Sequence, residues 1–277
     1  MLYAGAIVAM GWGTLTFLAA DSYTEPSPLL WRVRQAASAL LVVAPALLLL
    51  LQLRALEMTA TDLPVLLQET GWGRGWLQLA TVCGGAAVTV LLAAGSTSSL
   101  LALMGALGVA VAMGGLGHAA ADERWPLGSR LLDAMHVAGM GAWIGGLLVT
   151  WLETRGVGGE LAETPATRAR WGAFSRTATV MAPVTVLAGV GSSLRRFDGV
   201  GVVDIMASPY GRLLLLKTLL VAAVLALGWA HRRRVQAGHL PVAGGVRREL
   251  MAVVAVLLMT AVLTGISPPS PPELPGS

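Results

Sequence analysis

The sequence has 277 residues, of which 55% are hydrophobic and only 12% are charged, with a formal net charge of +4. Soluble domains carry about 25% charged residues, so this composition excludes an ordinary soluble domain. Several uncharged stretches of about 18 residues or more can cross a hydrocarbon core as helices, whereas the strand alternation of a β-barrel is absent. The sequence therefore predicts an all-α integral membrane protein.

Eight apolar segments are predicted to span the membrane. In chain order they are Leu2–Ala20, Val33–Leu53, Trp76–Ala94, Leu100–His118, Leu131–Trp151, Thr177–Ser193, Arg212–Ala230 and Leu250–Ile266. The first is the weakest of them, because the sequence GWGT interrupts it. Residues 1–267 are thus predicted to form one transmembrane domain, a bundle of about eight helices. The Pro-rich residues 268–277 contain too few apolar side chains to fold and are predicted to be a disordered tail.

The arginines predict the orientation of these helices, since cytoplasmic loops carry an excess of Lys and Arg. Arginines concentrate in the connection between the seventh and eighth spans and in the one between the fifth and sixth. Placing both connections inside also places Arg32 and Arg34 inside, and it places both termini outside. The scattered basic residues fit this topology better than nucleic-acid binding, so the expected partner is the lipid bilayer.

Two further features limit the function. The single cysteine, Cys83, lies in an apolar segment and cannot form a disulfide framework. The predicted loops contain no Walker A sequence and no glycine fingerprint after a strand, so an ATP-driven pump is not predicted. We therefore expect a binding or transport protein and no enzyme.

The residues that can carry chemistry concentrate in Gly117–Met140, with the sequence GHAAADERWPLGSRLLDAMHVAGM. His118 and His136 lie near the outer ends of the fourth and fifth predicted spans, which a short linker joins. His136 is about five residues, or roughly 7 Å, into its helix, so both imidazoles are expected at similar depth. Asp133, His136 and Met140 follow an i, i+3, i+7 spacing and share one helical face.

This residue set predicts a metal site near the outer surface. Ionisable residues at membrane depth indicate function, and imidazole with thioether suits copper, Cu(I) preferring the softer sulfur. Asp133 either ligates Cu(II) or accepts the second N–H of a histidine. Two alternatives stay open: a b-type haem protein with His118 and His136 as axial ligands, and a membrane scaffold whose histidines are structural.

Three other polar residues are left out of the predicted site. His231, in the sequence AHRRR, is expected to interact with lipid headgroups. His239 lies in a polar loop. Lys217 either extends its ammonium toward the interface or pairs with an acid such as Asp133 or Asp204.

The chain also resembles the copper-resistance protein D family of bacterial inner-membrane proteins. The resemblance rests on four segments in order: LGHAA at Leu116–Ala120, LLDAMHVAGMGAWIGGLL at Leu131–Leu148, WGAFSRTA at Trp171–Ala178, and SPYGRLLLLK at Ser208–Lys217. They are similar to the family's Gly-His, D-x-x-H-x(6)-W-x-G-G, R-F-S and Y-G-x-x-L-x-x-K elements. The chain departs from the family at His231–Arg232, where Asn-Arg is common, and at AGVGSS, which lacks an obvious Thr-Gly.

The resemblance implies copper uptake or handling across the inner membrane by eight spans with both termini in the periplasm. It selects copper, as Cu(I) or Cu(II), from among the metals that imidazole binds. A separate periplasmic copper-binding protein is the expected donor. Below Met140 no ladder of polar or sulfur side chains continues along the same helix face, so the route of copper across the membrane is not predicted.

Overall fold

The computed structural model describes residues 1–18, 27–92, 96–116, 125–155, 160–197, 200–266 and 269. Its helices, in chain order, are α1 Leu2–Leu18, α2 Pro28–Ala55, α3 Leu63–Glu69, α4 Gly71–Leu92, α5 Ser96–Met113, α6 Pro126–Met140, α7 Gly146–Thr154, α8 Pro165–Arg196, α9 Val202–Ala207, α10 Pro209–Gln236 and α11 Ala243–Thr264. A 3-10 turn, Ala60–Asp62, precedes α3, and a π-helical turn, Gly141–Gly145, joins α6 to α7. The predicted all-helical class agrees with this architecture.

Five helical segments in the described part of the chain are long and apolar enough to cross a membrane: α2, α4, the continuous run Pro126–Thr154, α8 and α10. Helix α1 and residues Ser99–Met113 of α5 are shorter apolar helices. The protein is therefore a multi-pass membrane protein. Seven of the eight predicted spans overlap one helix each, and the fifth overlaps α6, the π-helical turn and α7. The number of spans that cross the bilayer and their orientation stay predictions.

The chain divides into two compact units. The first comprises Met1–Arg155 and Thr164–Gly189, and the second comprises Gly156–Glu163 and Val190–Ser277. The predicted tail at 268–277 lies outside the described residues apart from Pro269. The prediction of one transmembrane domain followed by a disordered tail therefore stays a prediction.

Helix α1 is buried along most of its length in the first unit. Every residue from Gly5 to Thr16 is buried, as expected for a helix that is apolar on all sides. The glycines of GWGT are contact points: a Cβ added at Gly11 would lie 2.1 Å from the carbonyl carbon of Gly145. Small residues allow such close backbone approach between membrane helices. The feature that weakens α1 as a predicted span is thus what lets it pack.

Arg34 of α2 is buried and joins three helices of the first unit. Its guanidinium donates from Nε to the carbonyl of Val90 at 3.0 Å and from Nη2 to the carbonyl of Leu91 at 3.2 Å, near the end of α4. Its Cζ lies 4.4 Å from the ring centroid of Trp12 and 5.2 Å from that of Trp31. The carbonyls at a helix C-terminus carry partial negative charge, and indole faces attract cations. Arg34 therefore fastens the end of α4 to α1 and α2.

The end of α7 is fixed by polar contacts to α8. A carboxylate oxygen of Glu153 lies 3.5 Å from Nη1 of Arg170, and the other accepts the backbone N–H of Ser27 at 2.8 Å. One residue later, Thr154 Oγ1 accepts a hydrogen bond from the indole N–H of Trp171 at 3.1 Å. These bonds fix the direction in which the side chains of α7 point.

The second unit contains a buried polar pair between α10 and α11. Nδ1 of His231 lies 2.7 Å from Oε2 of Glu249, with side-chain exposures of 10% and 2%. Glycine makes room for the pair, because a Cβ at Gly245 would lie 2.6 Å from Nε2 of His231. The expectation that His231 interacts with lipid headgroups is therefore wrong. A buried carboxylate needs such a partner, and His231 provides it.

Candidate metal site

The structure describes three of the four predicted site residues. Asp133, His136 and Met140 all lie in α6, in the first unit. His118 lies outside the described residues, so its position beside His136 stays a prediction. Within the described part of the chain, no group of three or more His, Cys, Asp or Glu side chains is arranged to hold a metal ion.

The imidazole of His136 is oriented by the backbone of α8. Its Nδ1 lies 2.8 Å from the carbonyl oxygen of Thr185. A carbonyl oxygen can only accept, so Nδ1 carries the proton and the lone pair of the neutral ring lies on Nε2. Metal-binding histidines usually donate their other ring N–H to a carboxylate or a backbone carbonyl in this way. Nε2 of His136 is therefore the atom that can bind a metal.

This carbonyl is an orienting group for His136 that the sequence did not predict, and the role of Asp133 stays a prediction. The hydroxyl of Thr185 is turned toward its own helix, where it donates to the carbonyl of Met181 at 2.7 Å. Of the two oxygens of Thr185, the backbone oxygen is thus the one that contacts Nδ1 of the imidazole. No residue-type signal identifies a backbone carbonyl, so the spacing within α6 could not predict this contact.

Two glycines allow α6 and α8 to approach closely enough for the bond. A Cβ at Gly189 would lie 2.9 Å from Cε1 and 3.0 Å from Nδ1 of His136, and a Cβ at Gly139 would lie 2.6 Å from Oγ1 of Thr185. Both distances at Gly189 are shorter than normal packing contacts, so the imidazole occupies space that only glycine leaves open. Gly189 lies in AGVGSS, the segment where the chain departs from the family pattern.

Met140 is the last residue of α6 and is 8% exposed. The π-helical turn that follows it is buried at all five positions, Gly141–Gly145. Such turns occur in helices mainly as single-turn insertions and are frequent at functional sites. Met140 thus lies in the protein interior, four residues from His136 along the same helix.

The similarity of this chain to known proteins includes much of the second unit. Residues 168–266 match the family model for copper resistance protein D. This match confirms the resemblance found in the sequence and includes two of its four segments, Trp171–Ala178 and Ser208–Lys217. No curated protein and no solved structure gives a match. Residues 168–266 of this membrane protein are therefore similar to copper resistance protein D.

The copper resistance protein D match covers about a third of the chain, from the start of α8 to just after α11. It includes Thr185 and Gly189, which contact His136. It does not include α6, so Asp133, His136 and Met140 lie outside the matched residues. The assignment of these three residues as metal ligands therefore stays a prediction.

Proposed function

We propose that the protein binds copper from the periplasmic side at a site centred on His136, for uptake or delivery. The observation that carries the proposal is the hydrogen bond from Nδ1 of His136 to the carbonyl of Thr185 at 2.8 Å. That bond orients the ring and places the lone pair of the neutral imidazole on Nε2, the nitrogen that would bind the metal. Copper is the cargo here, taken up as Cu(I) or Cu(II).

The other predicted residues complete the proposed site. His118 supplies a second imidazole from the end of the preceding span, and Asp133 supplies negative charge that compensates the ion. Met140 supplies a softer donor on the interior side, which suits Cu(I). Neutral sulfur and nitrogen donors with one carboxylate can bind the ion and still release it.

The same proposal includes the membrane, the topology and the partners of the protein. The protein lies in the bacterial inner membrane, with about eight spans and both termini in the periplasm. It catalyses no reaction and binds no nucleic acid. Its partners are the bilayer and a separate periplasmic copper-binding protein that donates the metal.

Copper loading of the purified protein tests the site directly. We expect His136→Ala and His118→Ala each to lose most bound copper after Cu(I) loading in detergent, measured by metal analysis. His239→Ala is the control, because His239 is exposed in a loop and retains full loading. If His136→Ala binds as much copper as the parent, the site is wrong. A Soret band in the visible spectrum would instead support the haem alternative.

A second variant tests the orientation of the ring without removing it. Gly189→Ala places a Cβ 2.9 Å from Cε1 of His136, so the ring must shift and its bond to Thr185 lengthens. We expect a loss of copper affinity of about tenfold, the lower end of the effect of residues that orient metal ligands. Competition with a Cu(I) chelator measures it.

The matched control is Gly172→Ala in the same helix. The added Cβ would meet only Nη1 of Arg176, at an ordinary contact distance of 3.7 Å, so affinity is expected to stay at the parent value. Equal affinities for the Gly189 and Gly172 variants would show that the contact with α8 does not orient the metal-binding ring.

A further inference from the structure

The side chain of Met10 in α1 lies against the start of the π-helical turn. Met10 is 3% exposed, and a Cβ added at Gly141 would lie 2.6 Å from its Cβ and 2.9 Å from its Cγ. Gly141 directly follows Met140 in the chain. Met10 of α1 thus contacts the residue that follows Met140, and both methionines are buried.

Direct contacts between backbones fix this arrangement. A Cβ at Gly145 would lie 1.9 Å from the carbonyl oxygen of Ile7, and a Cβ at Gly11 would lie 2.1 Å from the carbonyl carbon of Gly145. The two backbones therefore lie so close at Gly11 and Gly145 that no side-chain atom fits between them. Met10, the residue before Gly11, is therefore held at the level of Gly141.

We propose that Met10 supplies a second thioether beside Met140, so that copper moves inward as Cu(I) from His136 to a site with two methionines at the π-helical turn. The proposal rests on the proposed function and extends it along the route of the ion. Met140 is four residues beyond His136, about 6 Å along the helix axis. That is one short step for an ion that passes from an imidazole to a thioether.

The chemistry of the two donors fits the protein interior. Thioethers are soft ligands that select Cu(I), and they are neutral, so the empty site buries no charge. A ladder of sulfur donors along this helical run alone would need further methionines or cysteines beyond Met140, and residues 141–154 contain none. The second donor comes from α1 instead.

The competing explanation is packing, since methionine often fills irregular gaps in a protein interior. Leucine fills a similar volume without sulfur, and Leu–Met exchanges usually cost less than about 1.5 kcal/mol of stability. Met10→Leu therefore removes the donor and keeps the fold. Met135→Leu is the control, because Met135 belongs to α6 but is 40% exposed.

X-ray absorption at the copper edge on the Cu(I)-loaded full-length protein counts the sulfur neighbours. We expect two in the parent and in Met135→Leu, and one in Met10→Leu. Chelator competition should show a loss of at least about tenfold in affinity for Met10→Leu, because a lost ligand costs no less than a lost supporting residue. Unchanged sulfur scattering and affinity in Met10→Leu would overturn the proposal.

If Met10→Leu does not fold, a measurement on the unsubstituted protein still tests the proposal. In protein labelled with selenomethionine, Cu(I) at the two-methionine site should show two selenium neighbours; none or one would overturn the proposal. If His136→Ala loses copper while Met10→Leu does not, the proposed function stands and the role of Met10 is rejected. If the parent binds no copper at all, both are rejected.

Discussion

Replacing Gly145 with alanine is expected to destabilise the first unit by about 3 kcal/mol or more, at or above the upper end of the usual range for overpacking. The added Cβ would lie 1.9 Å from the carbonyl oxygen of Ile7. The atom that this Cβ meets belongs to the backbone, so no neighbouring side chain can rotate to relieve the clash. Thermal unfolding in detergent, followed by circular dichroism and by size exclusion after heating, measures the loss.

Gly84→Ala in α4 is the matched control for this substitution. No atom lies within 4 Å of the Cβ that would be added there. Alanine is the better helix former by roughly 0.5–1 kcal/mol, so this variant should be as stable as the parent or slightly more. If the Gly145 and Gly84 variants unfold at the same temperature, α1 does not contact the π-helical turn through its backbone.

Replacing Arg34 with methionine is expected to cost about 3 kcal/mol, because hydrogen bonds from a charged group contribute about 1.5–3 kcal/mol each. The carbonyls of Val90 and Leu91 lose their donor, and Trp12 and Trp31 lose the cation beside their rings. Since these contacts join α4 to α1 and α2, the first unit as a whole should unfold at a lower temperature.

Two comparisons make the Arg34 result specific. Arg32→Met removes an exposed arginine from the same helix and should leave the unfolding temperature close to that of the parent. Arg34→Lys keeps the charge but loses the planar fork that reaches two carbonyls, so its stability should be intermediate. Equal losses for Arg32→Met and Arg34→Met would contradict a bridging role for Arg34.

The helical class of the protein follows from composition and from long uncharged segments, which are robust signals. These signals do not predict that α1 is buried in the first unit. The sequence GWGT is interpreted as an interruption because glycine has a low helix propensity. In the structure, Gly11 instead allows two backbones to pack closely. Propensity is a local property, and close packing depends on a partner that the local sequence does not contain.

In the candidate site, too, the local sequence predicts some features and not others. Spacing within α6 places Asp133, His136 and Met140 on one face, because the period of a helix is fixed. The carbonyl of Thr185 and the thioether of Met10 come from other helices, and periodicity gives the faces of a helix but not its neighbours. Gly189 was the available signal, since a glycine in an apolar helix often marks close approach.

His231 illustrates how neighbouring residues can mislead. The three arginines that follow it suggest a headgroup environment, yet its side chain is buried against Glu249. The residue that indicates the buried pair in the sequence is Glu249. A carboxylate near the start of an apolar helix requires a hydrogen-bonding or charged partner when it is buried, and His231 is that partner within the described residues.

Residues Pro126–Thr154 form one helical run of 29 residues. The π-helical turn within it changes the direction in which the side chains on its two sides point. It holds one residue more than an α-helical turn, so side chains after it are rotated by about 100° from where an uninterrupted helix would put them. Deletion of one residue from Gly141–Gly145 would cancel that rotation and turn Glu153 and Thr154 away from Arg170 and Trp171. The inserted residue thus allows the half with His136 to face α8 while the half with Glu153 keeps its own contacts.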